Sequence, residues 1–298
     1  MRVTVKAPGS CGELAQGTMG GKNFLITCPI NLYSEVTVTP RDAAPQLNVG
    51  SKVLSAIQKT LQYLQITDKF VVTVKSELPI GKGMASSSAD ISATCQSIAL
   101  SAGKFLSFDE IANIALSIEP TDGIFYPGVM LFDHVKGHIR QYLGNAIPMY
   151  IAMFDVGGEI DTLHFNCRSD LEKLNRANEL QVQNAMNLIV EGLDRKDTLL
   201  LGKGTTLSAL ANQTILFKPH LDEMIDIGLS WGAVGANIAH SGTVVGILFP
   251  MNKVHNCPPC IDEVSRCCTG VKFLRTVQFI SGGLMKQEGD NNDWEQCL

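Results

Sequence analysis

The sequence predicts a protein of the α/β or α+β class, because strand-like and helix-like patterns alternate along its length. Residues 35–39 alternate between polar and β-branched side chains and end at Pro40, as a strand does. Residues 51–65 instead carry aliphatic side chains at helical spacing. No internal repeat is evident, so a repeat architecture is not indicated.

The first half of the chain is predicted to contain strands and helices in turn. Short strands are expected at residues 3–6 and 24–27, followed by 35–39, the helix 51–65, the strand 70–74 and the helix 89–103. Ser107 and Glu110 form a capping-box pattern that begins a further helix, and Pro120 ends it. A strand pair is expected over 130–141, turning near Gly137.

The second half begins with the clearest buried strand. Residues 150–156 are almost continuously apolar, and Gly157-Gly158 ends the run. Longer helical patterns then follow, and we place a domain boundary near residue 150, giving domains 1–150 and 151–298. The elements expected here are helices at 168–194, 198–213 and 220–231, and strands at 233–239, 243–249 and 271–280.

Composition excludes several classes of function. The 298 residues include 24 Lys and Arg against 29 Asp and Glu, so the net charge is −5. An acidic chain is a poor candidate for binding nucleic acid, which depends on clustered positive charge. The sequence contains no run of 18 apolar residues, so no membrane span is predicted. The first residues lack the apolar core of a signal peptide. We therefore expect a cytoplasmic protein with no membrane partner.

Nine cysteines are present. In a cytoplasmic protein they are expected to be reduced, and four of them should act as small apolar residues: Cys11, Cys28, Cys95 and Cys167. The pair Cys257 and Cys260 has the spacing of a zinc knuckle, and Cys267-Cys268 follows. The alternative is a surface turn followed by a cysteine-rich helix, and the sequence leaves this choice open.

The most informative segment is a glycine- and serine-rich loop at residues 79–89, which joins a predicted strand to a predicted helix. Glycines allow a close backbone approach, and exposed amides at a helix start bind anions. Serine hydroxyls can reach phosphate oxygens or Mg²⁺, and Lys82 can add positive charge. The spacing fits neither a Walker loop nor a dinucleotide fingerprint. The alternative is a connection that binds nothing.

Two further segments carry polar groups of chemical interest. Glu119 and Asp122 lie three residues apart after a helix end, and they could supply a Mg²⁺ ligand and a base for a hydroxyl proton. Ser10, Glu13 and Gln16 lie in a glycine-rich segment near a predicted sharp turn, where they could hold a small polar substrate. The alternatives are a solvated turn after the helix and a β-turn at the chain start.

Together, these segments resemble the GHMP kinase family, whose central motif is Pro-x-Gly-x-Gly-Leu-Gly-Ser-Ser-Ala. Five positions match this motif: Pro79, Gly81, Gly83, Ser86 and Ser87. Three positions differ, with Met84 for Leu, Ala85 for Gly and Ser88 for Ala. An alanine at position 85 is compatible with close wrapping of a triphosphate if its φ angle is negative. A late loop at residues 237–243 resembles the third family motif.

The resemblance implies an α+β fold in two parts. The N-terminal half would contain a left-handed βαβ crossover, the C-terminal half would be ferredoxin-like, and ATP would lie between them. The resemblance implies that the phosphates of ATP bind to nine residues of the central loop: Pro79, Gly81, Lys82, Gly83, Met84, Ala85, Ser86, Ser87 and Ser88.

Roles for single residues are also implied by the resemblance. Ser87 and Glu119 are similar to the family's Mg²⁺ ligands, and Asp122 is similar in placement to the base of some members. Asn31 and Tyr33 occupy the region that usually contacts the nucleoside. We add Lys82 to the catalytic candidates. We expect the acceptor to meet six residues: Ser10, Glu13, Gln16, Ser241, Gly242 and Thr243.

Within the family, the chain looks most like the L-threonine kinases of cobalamin synthesis, associated with propanediol utilisation. Met84 and Ala85 are shared with this subgroup, as are the strings around Glu119 and His240. The resemblance implies transfer of the γ-phosphoryl of ATP to L-threonine, giving the precursor of the aminopropanol linker. The alternatives are another small alcohol, such as homoserine or mevalonate, and a non-catalytic ligand-binding regulator. A homodimer is a further possibility that the resemblance leaves open.

Overall fold

The computed structural model describes residues 1–41, 49–158, 168–288 and 293–297. The strands are β1 (Val3–Met19), β2 (Lys22–Pro40), β3 (Phe70–Ser76), β4 (Val129–Phe132), β5 (Arg140–Gly144), β6 (Met149–Asp155), β7 (Gly235–Ile238), β8 (Val244–Pro250), β9 (Lys272–Phe279), β10 (Met285–Glu288) and β11 (Glu295–Gln296). The helices are α1 (Ser51–Leu64), α2 (Ser86–Ser101), α3 (Phe108–Leu116), α4 (Leu171–Arg195), α5 (Thr198–Asn212), α6 (Leu221–Ser230) and α7 (Cys257–Cys267).

All the named strands lie in one sheet of eleven strands, ordered β11-β10-β1-β7-β8-β6-β9-β2-β4-β5, with β3 beside β2. Every pairing between these strands is antiparallel. Of the two classes that the pattern of elements left open, the structure is therefore α+β. The capping box predicted at Ser107 and Glu110 is confirmed at the start of α3.

The first two strands are much longer than predicted. β1 and β2 form one hairpin of 17 and 19 residues, and the register between them shifts at Pro8/Gly9, Ser10/Glu13 and Glu13/Ala15. The predictions of separate short strands at 3–6, 24–27 and 35–39 and of a sharp turn near Ser10 were therefore wrong. Glycines and a proline bend the strand without ending it, because register shifts let the pairing resume on the far side. The chemistry-bearing side chains of this segment thus project from a bent strand.

The second half has the connectivity β-α-β-β-α-β, from β6 through α4–α6, β7, β8 and α7 to β9. Its four strands lie in the order β9-β6-β8-β7. This is the ferredoxin-like arrangement that the family resemblance implied. β6 begins at Met149, next to the boundary predicted near residue 150, and its partners among the described strands are β8 and β9. The boundary itself stays a prediction.

Two apolar clusters form the core. The larger joins β1, β2 and α2, and the smaller packs β6 and β8 against α6 and α7. Cys257, Cys260 and Cys268 belong to the smaller cluster, and Pro258 and Pro259 lie in the first turn of α7. The expectation of a surface turn there was wrong, because prolines are well accommodated at the start of a helix. Cys167 lies outside the described residues, and no disulfide joins the described cysteines to one another.

Helices long enough to span a bilayer would need about 20 apolar residues, and none of the described helices meets that requirement.

Candidate functional site

The central loop lies between β3 and α2. The helix begins at Ser86, three residues earlier than predicted, so the three serines form its first turn. No side chain caps this helix, because its N-cap residue is Ala85. Uncapped amides at a helix start carry partial positive charge and need acceptors. The loop thus presents the groups that an anionic ligand requires.

Three residues of the loop have positive φ angles: Gly81 at 75°, Gly83 at 78° and Ala85 at 55°. The condition that φ be negative at Ala85 is therefore not met. An alanine in the left-handed region costs about 1–2 kcal/mol, which a glycine avoids. The chain therefore holds position 85 in the left-handed region without the glycine that favours this conformation.

Replacing Ala85 with glycine should raise the free energy of unfolding by up to about 1 kcal/mol, because relief of the left-handed strain exceeds the added entropy of the unfolded chain. Ala177→Gly, at an exposed position in α4, should instead lower it by about 1 kcal/mol. Urea unfolding of both variants checks the opposite signs. A loss of stability in both would contradict the strain at Ala85.

The late loop packs directly on the central loop. The amide of Thr243 donates to the Lys82 carbonyl at 3.2 Å, and the amide of Ser10 donates to the Met84 carbonyl at 3.0 Å. A Cβ at Gly242 would collide with the Lys82 carbonyl, and one at Gly83 would collide with Ala239. The three segments singled out in the sequence thus meet at one place, held by backbone contacts that leave no room for larger residues.

The first segment adds buried polar groups behind these loops. Ser10, Glu13 and Gln16 are all at most 4% exposed. Ser10 Oγ, Glu13 Oε2 and Gln16 Nε2 have no hydrogen-bond partner among the described residues. The side-chain amide Nδ2 of Asn237 on β7 donates to the Cys11 carbonyl, which ties the bend of β1 to the strand that precedes the late loop. Unsatisfied buried polar atoms are costly, so this cluster is suited to a polar ligand.

A cavity of about 380 Å³ opens where these segments meet. Its lining contains most of the central loop together with Glu119, Asp122 and Glu13. The remaining lining residues are Leu25, Lys52, Pro120, Thr121, His134, His240 and Ser241. The structure therefore gathers residues from positions 13 to 241 around one space, as the sequence predicted for the central loop and the two carboxylates.

Each carboxylate is paired with a serine of the α2 first turn. Ser87 Oγ donates to Glu119 Oε1, while Lys52 Nζ lies 2.6 Å from Glu119 Oε2. Ser88 Oγ donates to Asp122 Oδ2 at 3.1 Å and accepts from the Asp122 amide at 3.0 Å. The solvated turn considered as an alternative for Glu119 and Asp122 is therefore wrong, because both carboxylates face the helix start.

Burial shapes the acidity of this cluster. Burial raises the pKa of Asp122 to about 6, the Ser88 hydrogen bond opposes this rise, and the charge of Glu119 adds to it. Burial, followed by the charge of Asp122, raises the pKa of Glu13 well above its ordinary value. An Asp with a pKa near 6 is ionised at neutral pH but holds a proton more readily than an exposed carboxylate.

Sequence reasoning did not assign Lys52, His134 or His240, which also line the cavity. His240 Nδ1 lies 2.7 Å from Gln16 Oε1, and its ring meets that of His134 edge-on at 4.9 Å. Burial lowers the pKa of His134 to about 4, so its imidazole ring is neutral at pH 7. His240 stands in one of the strings that carried the family resemblance, which was a usable signal.

The two histidines and Pro120 also line a second cavity of about 790 Å³, which extends along α4 toward the tip of the β1–β2 hairpin. His134 Nδ1 and Asn212 Nδ2 are buried at its wall without a hydrogen-bond partner among the described residues. The two cavities thus lie next to each other and share Pro120 and the histidine pair in their walls.

Several predicted site residues do not line the smaller cavity. Lys82 Nζ lies 2.9 Å from Asp155 Oδ2 and donates to the Gly158 carbonyl, so its charge is paired away from the serines. Tyr33 is exposed in part and is tied to Glu77 just before the loop, and Asn31 accepts from the Gln278 amide. The others are Pro79, Ser10, Gln16, Gly242 and Thr243. Their roles stay predictions.

The late cysteines do not converge on a ligand set of their own. The described residues that could share a metal ion are His220, Glu223 and Cys268, whose ligand atoms lie within 4.8 Å of one another. His220 Nδ1 already lies 2.9 Å from Glu223 Oε2, and burial, followed by the charge of Glu223, raises the pKa of Cys268 to about 12. This cluster is satisfied internally, and it is remote in the fold from the serine-rich loop.

Comparison with known proteins agrees with this geometry. Residues 51–126 match the GHMP kinases N terminal domain, and residues 189–255 match the GHMP kinases C terminal domain. An L-threonine kinase of Salmonella typhimurium is 34% identical over 252 residues, covering 83% of each chain. An L-threonine kinase of Citrobacter freundii is 31% identical over 257 residues, covering 83% of this chain and 86% of its own.

Solved structures agree on the fold. The homoserine kinase of Cytophaga hutchinsonii superposes with a TM-score of 0.70 at 17% identity, covering 96% of this chain and 97% of its own. At that identity the likeness concerns the fold alone, whereas the curated relatives exceed 30% identity over most of their length. The chain therefore belongs to the GHMP kinase family of phosphotransferases.

Proposed function

We propose that this protein is an ATP-dependent L-threonine kinase, which transfers the γ-phosphoryl group of ATP to the threonine side-chain hydroxyl. The observation that carries the proposal is the pairing of Glu119 with Ser87 and of Asp122 with Ser88 at an uncapped helix start. The sequence identity of 34% and 31% to two L-threonine kinases supports the choice of L-threonine as the acceptor. The product would be O-phospho-L-threonine, used in assembly of the cobalamin nucleotide loop.

The phosphates of ATP would bind at the central loop. The amides of the first turn of α2 point along the helix axis toward the cavity, and their dipoles favour negative charge there. Gly81 and Gly83 permit the positive φ angles that let the backbone curve around an anion. The serine hydroxyls of the same turn can donate to phosphate oxygens once they leave their carboxylate partners.

The donor set at Ser87 and Glu119 fits Mg²⁺, which prefers oxygen ligands and is bound by one or two carboxylates together with substrate phosphates. When bound, Mg²⁺ would neutralise the charge that develops on the transferring phosphoryl group. Lys52, 2.6 Å from Glu119, compensates the charge of this carboxylate when the metal is absent. Ser87 and Glu119 are therefore the residues that we assign to the metal.

Asp122 would act on the acceptor hydroxyl. Its carboxylate takes the hydroxyl proton as the acceptor oxygen bonds to the γ-phosphorus, and the bond to the bridging oxygen breaks to release ADP. Ser88 orients Asp122 by two hydrogen bonds, one with its side chain and one with its backbone. Phosphoryl transfer depends mainly on positioning and electrostatics, so a single oriented carboxylate is sufficient protein chemistry at this step.

The acceptor's amino group would meet Glu13. This carboxylate is 4% exposed, has an unpartnered oxygen, and lies close enough to Asp122 for each to influence the other's charge. A bound ammonium would favour the ionised form of Glu13 and so compensate for its burial. Ser241, which lines the cavity, and the adjacent amides of Gly242 and Thr243 would meet the carboxylate of the amino acid.

Glu13→Gln should raise the KM for L-threonine by about 10- to 100-fold, because a hydrogen bond to a charged group contributes about 1.5–3 kcal/mol. The KM for ATP should change by less than about twofold, since Glu13 lies on the acceptor side. Steady-state kinetics with each substrate varied in turn measures both. An unchanged KM for threonine would remove Glu13 from the acceptor site.

The proposal as a whole is tested by ADP release from the purified protein with ATP and Mg²⁺, using L-threonine, L-serine, L-homoserine, mevalonate and galactose as acceptors. A strong preference for L-threonine supports it. Preference for another alcohol keeps the phosphate site and discards the threonine assignment. ATP binding without turnover of any acceptor would favour a ligand-binding regulator. The cytoplasmic location and the homodimer stay predictions, to be tested by cell fractionation and light scattering.

A further inference from the structure

Lys218, between α5 and α6, is a buried ionisable residue that the mechanism above does not use. Its side chain is 1% exposed. Its Nζ donates to the Gly242 carbonyl at 2.7 Å, and no carboxylate of the described residues forms an ion pair with it. Burial of a cation without a counterion costs free energy. A lysine retained under that cost indicates a role beyond packing.

The segment that carries Lys218 is held firmly. Its amide donates to Gln213 Oε1 at 2.6 Å, and Gln213 Nε2 donates back to its carbonyl at 3.0 Å. These two bonds fix the backbone at the end of α5. The Lys218 ammonium therefore extends to the late loop from a backbone that is held in place.

The late loop in turn contacts the central loop, hereafter the phosphate loop because we propose that it binds the phosphates of ATP. Gly242 is packed so closely on the Lys82 carbonyl that a Cβ would collide, and the neighbouring Thr243 amide donates to the same carbonyl. A chain of contacts thus runs from Lys218 through Gly242 to the backbone that precedes the serine-rich turn. Displacement of Gly242 would displace the phosphate loop.

We propose that Lys218 is a positioning residue for nucleotide binding: its ammonium fixes the late loop against the phosphate loop, and its charge is compensated when a triphosphate binds at their junction. The inference rests on the phosphate-binding part of the proposed function and does not depend on the acceptor. The ligand class is a nucleoside triphosphate, whose negative charge is the counterion that the free protein lacks.

The groups around Lys218 define the pH behaviour. Burial lowers the pKa of Lys218 to about 7. On the late loop, burial and then the charges of His134 and Lys218 lower the pKa of His240 well below its ordinary value, so His240 is neutral at that pH. Lys82, on the phosphate loop, is paired with Asp155. A bound anion favours the charged form of Lys218, so ATP binding should take up a proton and weaken as pH rises above about 7.

The test is Lys218→Met, which keeps length and removes both the charge and the hydrogen bond. The matched control is Lys203→Met, at an exposed position in α5. Calorimetry with MgATP and no acceptor should show Kd about tenfold higher for Lys218→Met and unchanged for the control. Two buffers of different ionisation enthalpy should reveal proton uptake in the wild type that the variant lacks.

Thermal unfolding separates positioning from a merely structural role. Removal of an unpaired buried charge should leave Tm unchanged or raise it. A lower Tm with unchanged Kd would overturn the proposal. If both Tm and affinity fall, the pH profile decides: loss of the alkaline weakening in the variant supports the proposal, and retention of it overturns the proposal. Because no acceptor is present, failure of threonine as a substrate would not alter these outcomes.

Discussion

Replacement of Glu119 with glutamine should lower kcat by about 10³-fold, equivalent to about 4 kcal/mol of transition-state stabilisation. Glu119 is the carboxylate that accepts from Ser87 and pairs with Lys52, and we assign it to the metal. Glutamine keeps the shape of the side chain but removes the negative charge that would hold Mg²⁺ among the phosphates. ADP release under saturating ATP and threonine measures the loss.

The Mg²⁺ dependence distinguishes a ligand from a packing residue. In Glu119→Gln, the Mg²⁺ concentration for half-maximal activity should rise, and excess Mg²⁺ should restore part of the rate. Glu191→Gln provides the matched control, because Glu191 forms an exposed helical pair with Arg195 and should leave kcat unchanged. Circular dichroism checks the fold of both. Full activity of folded Glu119→Gln at ordinary Mg²⁺ would refute the assignment.

Asp122→Asn should lower kcat by about 10²- to 10⁴-fold with little change in KM for ATP, because proton transfer by a positioned side chain contributes that much. Burial raises the pKa of Asp122 to about 6, and the base must be ionised to accept a proton. The wild-type kcat/KM should therefore rise as pH increases through about 6, and this limb should be absent in the variant. Asp68→Asn, at an exposed position, is the matched control.

Ser88→Ala gives an independent check on the same carboxylate. The Ser88 hydrogen bond holds the pKa of Asp122 down, so its removal should move the acidic limb to higher pH while activity remains measurable. A base role predicts this movement. If Asp122 only orients the hydroxyl, Asp122→Asn should cost much less than Glu119→Gln and keep the wild-type limb.

These predictions depend on the different contacts that two neighbouring serines make at the start of α2. Successive serines point to different carboxylates, Ser87 to Glu119 and Ser88 to Asp122, because neighbouring residues on a helix are about 100° apart. Under the proposed function, one helical turn would therefore serve both the metal and the acceptor. This explains why a serine at position 88, where the family motif has alanine, is compatible with the site.

The local elements of this protein were largely predictable from sequence. The helix 51–65, the strand 70–74 and the capping box at Ser107 depend on near neighbours in the chain, and the structure confirms them within a few residues. The central loop was visible for the same reason, since a strand, two glycines and a helix start lie next to one another. The loop that we propose to bind phosphate was thus encoded locally.

Other features depended on contacts between distant residues. Glycines near Ser10 predict a turn, yet pairing with β2 on both sides keeps β1 continuous. Ala85 is held at φ = 55°, although alanine disfavours that region by its own preference. Lys82, which the sequence assigned to the phosphates, is drawn to Asp155 at the end of β6.

The sequence by itself determined most of the local elements, the serine-rich central loop and the identity of the two carboxylates, because each is carried by residues close together in the chain. Only the tertiary structure decided which serine faces which carboxylate, where Lys82 goes, and that Lys52, His134 and Lys218 belong to the same region. Those facts depend on side chains brought together from many tens of residues apart. The burial of these side chains and the charges around them are properties of the packed molecule, and no local sequence pattern contains them.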